Sequence, residues 1–220
     1  MPTSDADLPL EHVHVDPDQP TDGPAPAVFV LHGRGADVHD LLPIARELPD
    51  DLHVVSLQAP TPMGPGYTWY ELDLSAGGLH QSQPDADDFR RSLDLVDESI
   101  DAAVGAYDLD PDAVGLLGFS QGAITAFSLL VEAPARYAWV VGLHGYLAAE
   151  HAERDVDLDG VPVFVGVGTS DQVIPASRGE AAATRLRELG ADVTFERYQA
   201  PHGVSPDELR DLVAFVEAAR

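Results

Sequence analysis

The 220-residue chain is long enough for one domain with a buried core and too short for two enzyme domains with linkers, so it reads as a single domain, residues 1–220. Its 45% hydrophobic and 23% charged residues exclude a disordered chain, no apolar run reaches the roughly 18 residues of a membrane span, and zero cysteines exclude disulfides, thiolate nucleophiles and cysteine-bound metals. With 38 acidic residues against 12 basic ones, all of them Arg, the net charge of -26 disfavours nucleic-acid binding and docking on anionic lipid, both of which need a basic footprint.

Self-repulsion of that size destabilises a compact state unless salt screens it, and the screening length falls from about 10 Å at 0.1 M to about 3 Å at 1 M ionic strength. The composition therefore points to a halophilic protein. The N-terminus, MPTSDADLPLEHVHVD, carries acidic residues where a secretory leader is basic and lacks a continuous apolar stretch. A cytoplasmic location is the expectation.

Along the chain, LEHVHV (10–15) alternates as an edge strand does, with His12 and His14 on one face. No third ligand is placed beside them by sequence, so they are expected to be half-exposed edge histidines rather than a metal site. AVFVLH (27–32) and LHVVSL (52–57) are apolar on both faces, as buried parallel strands are. Between them Asp40 is placed to cap a short helix whose first turn contains Pro43. The stretch from Ala59 to Pro84 is rich in Pro and Gly and longer than an ordinary connection, which marks a functional loop. It carries Trp69 and Tyr70, read as substrate-binding residues of an acyl pocket or lid because ligand pockets are aromatic-lined.

Phe89, Leu93, Val96, Ile100 and Val104 recur at helical spacing, and AVGLLGF (113–119) follows as a further strand. It leads directly into Gly118-Phe119-Ser120-Gln121-Gly122 and then the helical run GAITAFSLLVEA. The G-x-S-x-G pattern alone is weak, but strand, sharp turn and helix are the setting that a nucleophile elbow requires. YAWVVGL (137–143), VPVFVGVG (161–168) and DVTFERYQ (192–199) supply the remaining strands. Ser177 with Glu180 has capping-box spacing ahead of a helix near 178–189, and Ser205-Pro206-Asp207-Glu208 opens the last helix. Strand and helix alternate throughout, so the fold class is α/β, a mainly parallel twisted sheet with helices on both faces.

A serine hydroxyl needs a base, and the base an orienting acid. Asp171 follows VPVFVGVG and His202 follows DVTFERYQ, so both fall in loops at the carboxyl edge of the sheet, where open α/β folds build their sites. The order Ser120, Asp171, His202 is that of an α/β-hydrolase triad. An oxyanion needs two backbone donors. The amide of Gln121, after the nucleophile, is one candidate; the amide of Arg34, in the glycine-flanked turn His32-Gly33-Arg34-Gly35, is the other. The Arg34 side chain is read as a salt-bridge partner on an acidic surface.

LHGRGAD, QAPTP with YTWYELD, GFSQGA, GLHGYL, GTSDQVIP and PHGVSPDEL together resemble the phospholipase/carboxylesterase family of serine hydrolases, which includes the acyl-protein thioesterases, through nearly the whole chain. The resemblance implies an α/β-hydrolase fold, no cofactor, no metal and hydrolysis of small-molecule carboxylic esters or thioesters; homodimers are common in that family. A carboxylesterase is the first expectation, a thioesterase or lysophospholipase the second, and a catalytically silent binding protein of the same fold the alternative from another class. His144, in GLHGYL, stands where such proteins commonly have a small residue such as serine. That departure implies a narrowed or polarised wall of the site, made by a packed histidine without a chemical role.

Overall fold

The computed structural model describes residues 6–20 and 23–220. Residues 1–5, the start of the acidic stretch read above for its missing leader pattern, lie outside the described residues. The elements in chain order are β1 (His12–Val15), β2 (Ala25–Leu31), α1 (Leu42–Ala45), β3 (His53–Leu57), β4 (Thr61–Met63), β5 (Gly66–Thr68), β6 (Leu72–Asp73), β7 (Gln83–Pro84) and α2 (Ala86–Ala106). There follow β8 (Leu109–Phe119), α3 (Gln121–Glu132), β9 (Trp139–Leu143), α4 (Ala149–Ala152), β10 (Pro162–Gly168), α5 (Ala176–Glu188), β11 (Asp192–Tyr198) and α6 (Pro206–Ala219).

Seven strands form one sheet in the order β1-β3-β2-β8-β9-β10-β11, parallel except for β1, which pairs antiparallel with β3. The apolar runs are continuous because both faces of the sheet are covered. Ala27, Phe29 and Leu31 of β2 join the cluster built with Phe89 and Leu93 of α2, Phe127 of α3 and Leu186 of α5. Val28 and Val30, the alternate residues, join the cluster with Leu42 of α1 and Leu212 and Val216 of α6. Chain direction across the sheet reverses between β2 and β8, so the loops that leave those two strands face each other across a topological switch point, the usual place for a ligand crevice.

Three expectations about helix starts and the first strand need correction. The short helix begins at Leu42, and its N-cap Leu41 has helical dihedrals and no side-chain cap. Asp40 does not cap it, since a capping residue needs an extended backbone. Helix α5 begins at Ala176 with Pro175 as its N-cap, which puts Ser177 inside the first turn and leaves no capping box. His12 and His14 are buried, not half-exposed, at 5% and 3% of their open area. They face inward from β1 under Tyr107, whose hydroxyl lies 2.7 Å from His12 Nε2. His14 Nε2 meets His53 Nδ1 at 2.9 Å with ring centroids 5.1 Å apart and planes 5° apart. Those three values together require nearly coplanar rings meeting edge to edge, an N–H···N hydrogen bond.

The capping box of α6 is present: Glu208 N donates to Ser205 Oγ at 3.2 Å, and the Ser205 amide donates to Glu208 Oε2 at 3.4 Å. The 59–84 segment folds as two small hairpins, β4-β5 and β6-β7. The first is tied to the loop after β2 by hydrogen bonds from Gly35 N to Tyr67 O at 2.7 Å and from Tyr67 N to Ala36 O at 2.8 Å. No helix among the described residues is long and apolar enough to cross a membrane.

Candidate active site

Ser120 sits between the last residue of β8 and the first of α3 with φ 55° and ψ -115°, a left-handed conformation that costs a non-glycine residue energy and turns the chain sharply. The two glycines of the motif are present for close approach. A Cβ on Gly118 would collide with the Gly122 carbonyl, and a Cβ on Gly122 with the Leu31 carbonyl of β2. The Ser120 amide donates to Leu143 O at 2.8 Å, and its hydroxyl makes no cap on α3. That leaves Oγ for His202, whose Nε2 is 3.0 Å away.

His202 Nδ1 lies 2.6 Å from Asp171 Oδ2. The other oxygen of Asp171 accepts the amides of Val173 and Ile174 at 2.8 and 2.9 Å. Burial disfavours the carboxylate, but the hydrogen bonds from His202, His144 and those two amides outweigh it and hold Asp171 below the usual carboxylate range. An ionised Asp171 requires the hydrogen on His202 Nδ1, which exposes the lone pair of Nε2 to the serine hydroxyl. The structure thus brings together three residues 51 and 31 positions apart in sequence, on the loops after β8, β10 and β11.

The glycine-flanked turn His32–Gly35 is fixed from beneath by His32. Its Nε2 receives the Ala59 amide at 3.1 Å and the Gln58 side-chain amide at 3.2 Å, so it is an acceptor, and Nδ1 must carry the hydrogen it shares with Gly33 O at 2.8 Å. Burial lowers the His32 pKa and keeps the ring neutral, in keeping with that tautomer. Arg34 and Gln121 both line the cavity that contains Ser120 and His202. The Arg34 guanidinium reaches Glu71 at 3.6 Å, a partly exposed ion pair.

That cavity has a volume of about 300 Å³. Its walls are mostly apolar: Leu72 and Leu79 come from the 59–84 segment, Ile124 from α3, and Val173 and Ile174 from the loop that carries Asp171. Among the described residues the exposed large apolar side chains are Leu74, Leu79 and Val173, and two of these three rim this cavity. His80 Nε2 and the Gln172 carbonyl, 2.8 Å apart, tie the two rim loops together. Larger hollows near Asp51 and Arg220 lie at the opposite edge of the sheet, away from Ser120 and His202.

The two aromatics predicted to bind substrate divide. Tyr70 lines the cavity, packed edge-on against Phe89, and burial holds its phenol protonated. Its hydroxyl has no hydrogen-bond partner among the described residues. Trp69 is fully buried and does not line the cavity: Nε1 donates to His32 O at 2.8 Å and its amide donates to Gln121 Oε1 at 3.1 Å. A Gly/Pro-rich loop holds a core tryptophan here because His32 and Gln121 supply the polar partners it needs. His144 is likewise no part of the cavity wall. It is fully buried behind Asp171, with Nδ1 3.0 Å from Asp171 Oδ2 and Nε2 3.2 Å from Glu208 Oε2. In the sequence His144 stands out only as a departure and Glu208 only as a capping residue; their meeting depends on α6 and the Asp171 loop, 64 and 27 positions away.

A model of the phospholipase/carboxylesterase family matches residues 14–220. Acyl-protein thioesterase 1 of Eremothecium gossypii is 28% identical over 212 residues, covering 87% of this chain and 87% of that protein. The same-named protein of Aspergillus fumigatus is 28% identical over 158 residues, 67% of this chain and 62% of its own length. Among solved structures, a Bacillus cereus carboxylesterase superposes with a TM-score of 0.82 at 23% identity, covering 96% of this chain and 95% of that one. A carboxylesterase from Mesorhizobium loti gives 0.84 at 20% identity over 98% of each chain. The likeness in structure carries the α/β-hydrolase fold.

Proposed function

The chain belongs to the phospholipase/carboxylesterase family of hydrolases, and on that premise we propose that it cleaves carboxylic esters through Ser120, His202 and Asp171 as a catalytic triad. The observation that carries the reading is the continuous hydrogen-bonded line from Ser120 Oγ through His202 to Asp171, at 3.0 and 2.6 Å, opening on an apolar cavity. Ser120 Oγ attacks the acyl carbonyl while His202 Nε2 takes its proton. Asp171 holds the ring and balances the imidazolium that forms. The backbone amides of Arg34 and Gln121 receive the oxyanion. His202 then protonates the leaving alkoxide, and water, activated by the same ring, releases the acid from Ser120.

The apolar lining favours an acyl group of small or medium length, and the acidic surface favours soluble small-molecule substrates in the cytoplasm over anionic lipid interfaces. A thioester reading has its own support, since the same machinery attacks either bond and the relatives from Eremothecium gossypii and Aspergillus fumigatus are named thioesterases. Labelling with a fluorophosphonate, read by intact mass and peptide mapping, tests the triad. One adduct on Ser120, absent from Ser120→Ala and from unfolded protein, is the expected result. Folded protein that takes no label refutes the triad and leaves a binding protein of this fold. Turnover of paired esters and thioesters of matched acyl chains then separates the two activities.

A further inference from the structure

Asp171 serves two imidazoles with one oxygen: Oδ2 is 2.6 Å from His202 Nδ1 and 3.0 Å from His144 Nδ1. Its Oδ1 already holds the amides of Val173 and Ile174. Four donors fill the carboxylate, so His144 Nδ1 carries a hydrogen. The remaining question is the proton between His144 Nε2 and Glu208 Oε2, 3.2 Å apart and both buried. Either Glu208 is a neutral acid and His144 a neutral ring, or the proton rests on the ring and both partners are charged.

Two observations decide in favour of the ring. Imidazole is the stronger base by about two pH units in water, and Glu208 is the third residue of the 14-residue helix α6, at the positive end of its dipole. The ring moreover lies between two carboxylates, Asp171 and Glu208, and among the described residues no cation is paired with it; the other titratable group against it is His202, at 5.5 Å between centroids. Phe119, at 5.5 Å, is the aromatic neighbour they share. Burial works against the charged ring, but the hydrogen bonds and charges of Glu208 and Asp171 outweigh it and raise the His144 pKa. The left-handed backbone at His144, φ 53°, is the cost of aiming the ring along this line.

We propose that His144 is a positioning residue of the site: a buried imidazolium that anchors Asp171 to Glu208 and, by placing a positive charge behind Asp171, weakens that carboxylate's pull on the proton of His202. The proposal rests on the triad reading for its kinetic consequence, though not for the charge state. In a chain of net charge -26, an unopposed Asp171 would hold His202 protonated to higher pH, and a protonated His202 is no base. His144 offsets that field at the one place where it acts on the reaction.

The variant of choice is His144→Asn, because Asn tolerates a left-handed backbone and its amide can still donate to Asp171 while carrying no charge. The acidic limb of the kcat/KM profile is expected to move up by about one pH unit or more, with kcat at alkaline pH largely kept. Glu208→Gln leaves the ring in place and supplies an amide donor to Nε2; it should convert His144 to the singly protonated form. Nitrogen-15 NMR of histidine-labelled whole protein reads this directly: the wild type should show one ring that stays protonated on both nitrogens above the ordinary histidine value of 6.5, a signal missing from both variants. A wild-type His144 with a bare nitrogen near about pH 6, or an unmoved acidic limb in folded His144→Asn, overturns the proposal. Should Ser120 refuse the fluorophosphonate, the triad fails and the NMR result still decides the charge on His144.

Discussion

The side chain of Gln121 is closed onto the main chain of the loop at Trp69: its Oε1 accepts the Trp69 amide at 3.1 Å, and its Nε2 donates to Tyr70 O at 2.9 Å. Thr68 Oγ1 sits 2.9 Å from the same Oε1. The residue after Ser120 thus does two things. Its backbone opens α3 beside Ser120, and its side chain fastens the cavity wall that carries Tyr70.

Replacing Gln121 with Leu keeps the backbone amide and the bulk but strands the buried Trp69 amide, while the Tyr70 carbonyl keeps the Thr68 hydroxyl at 2.8 Å. The expected cost is about 1–3 kcal/mol in urea unfolding, from one orphaned buried amide. Ester turnover should fall mainly through KM, because the Tyr70 wall loosens while Ser120 and His202 stay paired. Unchanged stability would mean that the loop holds itself.

Gly122→Ala puts a methyl against the Leu31 carbonyl, closer than real Cβ atoms approach backbone. Since β2 is central in the sheet, α3 must yield, carrying Ser120 with it. We expect about 1–3 kcal/mol of destabilisation and loss of most turnover, seen as a lower Tm and a slower fluorophosphonate adduct. Ala123→Gly, one residue on, serves as the helix-propensity control. Equal rates for Gly122→Ala and the wild type would contradict the packing account.

The strands, the sharp turn at Ser120 and the start of the last helix were legible because each rests on local pattern: β-branched runs, a glycine-bracketed serine and a serine-proline helix start at Ser205. What was illegible is what long-range packing decides. Trp69 in a Gly/Pro-rich loop looks exposed until His32 and Gln121 arrive to bond it. His12 and His14 look half-exposed until Tyr107, 95 positions from His12, covers them. Asp40 and Ser177 have capping side chains, yet the helices start where Leu41 and Pro175 turn the backbone, and spacing alone does not report dihedrals. His144 showed in sequence only as an oddity, because its partners lie on two other elements.

Glu132, at the end of α3, gathers Arg90 at 2.5 and 2.8 Å, Arg154 at 2.9 Å and His151 at 3.0 Å. Burial alone would raise its pKa, but Arg90 and His151 overcome that and bring it from 4.5 down to about 2. A depressed acid contributes stability that is present above its unfolded value and lost as pH falls through the folded one. The window is therefore pH 4.5 to about 2, and a shift of that size corresponds to roughly 3 kcal/mol. Glu132→Gln should lose about 2–3 kcal/mol at neutral pH and show a flatter decline in that window. Chemical unfolding at both pH values in molar salt checks it, and parallel acid slopes for the two proteins would remove Glu132 from the account.

Salt should stabilise this fold, and α2 shows where. Asp94 and Asp97, and Glu98 and Asp101, stand at i+3, and Asp94 and Glu98, and Asp97 and Asp101, at i+4, which places like charges side by side. Arg136 answers Asp97 at 3.3 Å and Asp101 at 2.6 Å, and Arg90 answers Asp94 at 2.9 Å. Asp97 still has its pKa raised, by burial first and then by Asp101, Glu132 and Asp94 against the pull of Arg136, so native packing there disfavours its ionised form. Twelve arginines cannot neutralise 38 carboxylates, and mobile cations must do the rest. Going from about 0.1 M to about 2 M KCl should raise Tm by about 10 °C, with much of the rise below about 0.5 M, as the screening length drops under the spacing of surface charges. Glu98→Gln should shrink the low-salt deficit and leave the molar-salt Tm nearly unchanged, because it removes a repulsion that salt already screens. A Tm independent of KCl would show that the acidic surface is tolerated without screening, and the halophilic reading of the composition would fall.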